Sequence, residues 1–228
     1  SHKDRVPWAV VRYRSLVGML IKLITNYPKF VELLAYVNES HLYDEFWISD
    51  LANAKRYRDH VNEMQQIYQT KMKNKLLPPG TKSICLLLGQ FYDGAQIFKS
   101  KVVSFWPIFI QILSLPPHLR TKRGVGLFLL TLIALSSFSD AVENFILQDC
   151  LVGELKLLNI GVHFTHNNGT SYFLQARLVL HALDTKGMEP LLMVQATNAR
   201  AGCPLCSLER AVYRTQIKKA CIVEHRRH

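Results

Sequence analysis

The sequence predicts an α/β fold, a helical N-terminal part over residues 1–80 followed by a core ordered strand, strand, strand, helix, strand. Three observations predict it. From Pro7 to Met72 apolar residues recur at steps of three and four, the spacing of a buried helix face. At Pro78-Pro79-Gly80 that period gives way, and Ile84 to Tyr92 is an apolar run of strand length that halts at a lone carboxylate and a glycine, Asp93-Gly94. Beyond it, further apolar runs are separated by turn residues.

The 228 residues suffice for one large core or a core with a satellite, and 49% hydrophobic content excludes general disorder. A surplus of 28 Lys+Arg over 17 Asp+Glu gives a net charge of +11 and draws the chain toward polyanions, nucleic acid first and an acidic membrane surface second. Five cysteines, an odd number with no signal-like opening segment, argue against a disulfide framework and for a reducing compartment. The most apolar window, Val125 to Ala134, is too short to span a bilayer, so no membrane partner is expected. The chain opens Ser1-His2-Lys3 without a methionine and reads as an excised piece of something longer.

Pro7 to Val37 reads as two packed helices interrupted at Pro28, with Trp8, Val11, Leu16, Leu20, Leu23 and Ile24 on one side. Ser49 is a candidate N-cap for a third helix whose apolar positions include Leu51, Ala54, Tyr57, Val61, Met64, Tyr68 and Met72. Its charges, Lys55, Arg56, Arg58 and Lys71, read as a solvated face or as phosphate contacts. Then come the strand to Tyr92, a turn at Asp93-Gly94, a run Val102 to Leu113, a break at Pro116-Pro117 and a run Val125 to Leu135, an antiparallel meander. Trp106 with Pro107 reads as core packing and an edge-strand break, and Cys85 and Cys150 as buried and inert.

Asp140 to Leu158 suits a helix capped by Ser139 or Asp140, with Gly161 after its end. A turn at Asn167-Asn168-Gly169 leads into Tyr172 to Leu183, whose period fits a helix or a strand; a strand returns the chain parallel to the first by a right-handed crossover. It ends at Asp184. This order is the ribonuclease-H-like skeleton, a partial core over residues 81–187, in which the first and fourth strands are neighbours. Asp93 and Asp184 would then face each other too closely to ionise together without a cation, and magnesium suits their hard oxygens. Each aspartate also has a plain reading as a turn residue.

The blocks Asp93-Gly94, Phe98-Lys99-Ser100-Lys101, Ser104-Phe105-Trp106-Pro107-Ile108, Leu115-Pro116-Pro117-His118-Leu119-Arg120, Cys203-Pro204-Leu205-Cys206 and His225-Arg226-Arg227 are together similar to the successive blocks of the CACTA-type (En/Spm-like) DDE transposases. The resemblance runs from Tyr92 to the end and leaves the first eighty residues unmatched. It implies a catalytic core that cuts and joins DNA ends with magnesium, acts on transposon ends in the nucleus, and uses Asp93 and Asp184 as the first two acids of three. Where the family follows its second aspartate with an aromatic or leucine and then Pro-Ala, this chain has Thr185-Lys186-Gly187. It ends before the third acid; Glu189, Glu209 and Glu224 are not convincing substitutes.

Residues 188–228 read as an incomplete zinc-binding insertion. Cys203 and Cys206, with Cys221 and His225 downstream, form a Cys3His set suited to tetrahedral structural zinc; His228 competes for the fourth place. The resemblance supports Cys203, Cys206 and His225, and spacing adds Cys221. Arg200, Arg210, Arg214, Lys218, Lys219, Arg226 and Arg227 surround the set and suit the DNA backbone. Two functions are therefore expected. One is a fragment of a DDE transposase, inactive alone for lack of its third acid and with oligomerisation of the full-length parent open. The other is a non-enzymatic, domesticated or degenerate DNA-binding zinc module.

Overall fold

A computed structural model describes residues 9–27, 29–34, 50–51, 54–92, 95–96, 104–135 and 150–183. The chain divides into two compact units, residues 1–182 and 183–228, and the described residues belong to the first except for Leu183. The elements are β1 (Ala9–Tyr13), α1 (Leu16–Asn26), α2 (Phe30–Leu33), α3 (Lys55–Lys73), β2 (Lys82–Tyr92), β3 (Ala95–Gln96), β4 (Ser104–Ile112), α4 (Pro117–Arg120), β5 (Leu127–Leu135), α5 (Gly153–Ile160), β6 (Val162–Thr165) and β7 (Ser171–Leu183). This is a mixed α/β fold, as the sequence predicts. Its sheet has the order β1-β5-β4-β2-β7-β6, with β3 also on β4.

The three-strand meander is present: β2 pairs antiparallel with β4, and β4 with β5. The middle of β2 is buried, Ile84 at 2% and Leu86, Leu87 and Leu88 at 0% exposure, as suits a strand flanked on both edges by β4 and β7. One face of the sheet carries α3, whose Tyr57 and Met64 form a core with Leu87 and Leu113. Ile108, Ile110 and Ile112 on the opposite face are also at 0%, so β4 is buried on that face too.

Several expectations need correction. Ala9–Tyr13, read as the start of a helix, is an edge strand in register with β5 from Ala9↔Leu135 to Tyr13↔Thr131. Its consecutive β-branched Val10 and Val11 favour an extended chain, and the helix starts only after Ser15, whose Oγ accepts from Gly18 N at 3.0 Å. The third helix begins at Lys55 with Ala54 as its N-cap, and Leu51 is exposed. β3 pairs with β4 in the register that β2 leaves off, Tyr92↔Ile108 being followed by Ala95↔Phe105, while Asp93-Gly94, read as a turn, lies outside the described residues. Pro107 lies in an interior strand, not at an edge. It is accommodated between the last β2 pair and the first β3 pair, next to a register shift at Ile108/Phe109 on the β5 side.

The other boundaries agree better. α5 ends at Gly161, whose φ of 99° favours glycine. The turn at Asn167-Asn168-Gly169 joins β6 to β7, with Asn168 Oδ1 accepting from Thr170 N at 3.0 Å. Cys85 and Cys150, read as buried, are instead half-buried.

Candidate functional site

The relation between β2 and β7 can be read from α3, which contacts both at three levels. Near its C-terminus Tyr68 donates its hydroxyl to Thr81 O at 2.6 Å and stacks on Phe173, with ring centroids 6.2 Å apart. Lys71 Nζ stands 5.1 Å from the centre of the same Phe173 ring. One level up, Gln65 Nε2 approaches Cys85 Sγ at 3.5 Å, while Arg177 of β7 binds Glu63 and lies 3.2 Å from His60 Nδ1. Near the N-terminus of α3, Tyr57 packs with Leu87, and Val179 packs against this group.

Going from Tyr68 to Tyr57, β2 is therefore met at residues 81, 85 and 87, and β7 at 173, 177 and 179. Both strands run opposite to α3, hence parallel to each other, and they are offset by the same interval at each level. They are also neighbours in the sheet. First and fourth strands of the predicted core thus lie side by side and point the same way.

Asp93 and Asp184 follow the last residues of these strands, and both lie outside the described residues. So do Cys203, Cys206, Cys221, His225 and His228, and the basic residues Arg200, Arg210, Arg214, Lys218, Lys219, Arg226 and Arg227. Gln90, two residues from the end of β2, is 1% exposed, and its Nε2 has no hydrogen-bond partner among the described residues. Burial raises the Cys85 thiol above its usual range, which keeps it protonated and unreactive at neutral pH.

Two polar networks escaped sequence reading. Arg177 ties β7 to α3 through Glu63 and to α5 through Asn159, its Nε donating to Oδ1 at 2.9 Å. The hydrogen bond from Arg177, and then its charge, hold the Glu63 carboxyl below its usual range. Arg120, inside the Leu115 to Arg120 block quoted above, is only 7% exposed. It donates Nη1 and Nη2 to the two Asp50 oxygens at 2.5 and 2.6 Å and Nε to Leu115 O at 2.7 Å. A prolyl turn ending in arginine is the local signal; its partner, seventy residues earlier, has none.

Among the described residues no helix is long and apolar enough to cross a membrane. No curated protein sequence matches the chain. Residues 60–228 match the model of the transposase family tnp2, a match that begins within α3 and so reaches further toward the N-terminus than the motif blocks do. The chain belongs to this transposase family.

Proposed function

We propose that this chain is part of the catalytic core of a CACTA-like DDE transposase, with a ribonuclease-H-like core whose first two acids are Asp93 and Asp184, and that DNA is its partner. The observation that carries the reading is the parallel, adjacent course of β2 and β7, together with membership of a transposase family. Neighbouring parallel strands each followed by an aspartate are an arrangement that brings two carboxylates to one end of a sheet. Two carboxylates offer the hard oxygen donors that magnesium prefers. Bound there, magnesium would supply Lewis-acid stabilisation of the oxygens that attack and leave in a phosphodiester displacement. The chain's own residues would hold the ion and position the DNA, and no side chain acts as nucleophile.

A structural zinc knuckle of Cys203, Cys206, Cys221 and His225, with Arg210, Arg214, Lys218, Lys219, Arg226 and Arg227 around it for the DNA backbone, belongs to the same proposal. So does nuclear action on transposon ends. The isolated chain is expected to be inactive, because this reading assigns only two of the family's three acids within residues 1–228.

The test is magnesium-dependent cleavage of a transposon-end duplex by the full-length parent. Asp93→Asn and Asp184→Asn should each abolish cleavage and leave DNA binding within about twofold. Undiminished cleavage by either variant would remove that residue from the site. A parent that binds DNA but never cuts it would favour the non-enzymatic zinc module instead.

A further inference from the structure

A cavity of about 660 Å³ runs along α1, from Arg14 to Tyr27, and is also lined by Gly124 and Phe128. Its floor is apolar: Met19 is 7% and Leu23 8% exposed. Its rim is cationic and polar, with Arg14, Lys22 and Asn26 exposed, and no carboxylate among its described lining residues. Gly18 keeps the middle open, since a Cβ there would approach only Ser15. Lys122 and Arg123, both exposed, immediately precede Gly124.

The aromatic groups are unusual. Tyr27 is 42% exposed at the end of α1, where packing would favour a buried ring, and Phe128 is half-buried across the cavity. Exposed rings beside cations on an apolar floor suit a ligand that alternates flat apolar faces with negative charge. A nucleic acid strand has that character: bases stack on the rings and phosphates meet the cations. A small anion would need only one end of this cavity. α1 itself, from Leu16 to Asn26, spans about 15 Å of helix axis, long enough for several nucleotides.

We infer that the α1 cavity is a binding site for a single DNA strand, with Arg14 and Lys22 contacting phosphates and Tyr27 stacking on a base. Binding there needs no metal, so it is tested without cleavage. The probe is a fluorescein-labelled single-stranded oligonucleotide of about 12 nucleotides, titrated by anisotropy against the 228-residue chain in EDTA over a range of salt.

Replacing both Arg14 and Lys22 with alanine should lower the slope of log affinity against log salt by about 1.4, two contacts at about 0.7 each. Tyr27→Ala should weaken binding about 5- to 150-fold, and Tyr27→Phe should restore it, because stacking needs only the ring. The paired change Lys73→Ala with Lys82→Ala, exposed elsewhere, should leave the slope unchanged. An equal loss from that control pair would assign binding to net charge and overturn the site. So would a silent Tyr27→Ala, or a wild-type chain that does not bind the strand at low salt. All substituted residues are exposed, and unchanged thermal melts establish that the variants fold.

Discussion

The Tyr68 hydroxyl donates to the carbonyl of Thr81 at 2.6 Å, fixing α3 to the residue that precedes β2. Because the same ring stacks on Phe173, one side chain sets the helix against both strands that lead toward the proposed acids. Tyr68→Phe keeps the stack and loses the hydrogen bond. We expect a loss of about 1 kcal/mol in chemical denaturation, with Tyr68→Ala costing several times more.

Gly161 stands against the other participant in that stack. Its φ is 99°, and a Cβ there would lie 2.0 Å from the Phe173 ring. Gly161→Ala should therefore be among the most destabilising single substitutions, about 3 kcal/mol or more by strain and overpacking together. Pairing it with Phe173→Leu should recover part of the loss in a double-mutant cycle.

Arg120 and Asp50 form a buried bidentate pair, each side chain 9% exposed. Removing either partner leaves the other charge buried, so Arg120→Ala and Asp50→Ala should each cost about 3–5 kcal/mol. The double variant should be less destabilised than the two singles added together, a coupling that thermal or urea unfolding measures directly.

Gln90 is buried, and its amide nitrogen has no partner among the described residues. Gln90→Met keeps the volume and removes the desolvation penalty. We expect stability to be unchanged or raised by about 1 kcal/mol; a large loss would reveal a polar partner that this position requires.

The Glu63 contribution depends on pH. Its folded carboxyl is held below the ordinary value of 4.5 by Arg177, so whatever stability the pair provides is present above that value and lost as pH falls through the folded one. Wild type and Glu63→Gln should differ in melting temperature at neutral pH and converge in acid, with the difference reduced by salt.

Where one element's own residues decided its form, the sequence was informative. The continuous apolar run Ile84 to Leu88 reads as a buried strand and is one, and Asn167-Asn168-Gly169 reads as a hairpin turn and is one. Misreadings arose where distant pairing decided the outcome. Val10 and Val11 fit the apolar spacing of the helix that follows, yet pairing with Ala134 and Ile133 on β5 makes them strand. Asp93-Gly94 carries the local chemistry of a turn, but Ala95 and Gln96 continue on β4. Asp50 and Arg120 have no shared local pattern at all. For the site, the sequence anticipated the neighbouring strands that lead to its two acids; the acids themselves, like the cysteines, lie outside the described residues.

The proposal that Asp93 and Asp184 hold one metal ion is most directly tested by iron-mediated backbone cleavage. Ferrous ion substituted for magnesium in the intact chain, with ascorbate and peroxide, cuts the polypeptide beside its binding site. We expect two cuts, near residues 93 and 184, both suppressed by excess magnesium and both lost in Asp93→Asn and in Asp184→Asn. A cut at one position alone, or one that survives substitution of the other aspartate, would contradict a shared site.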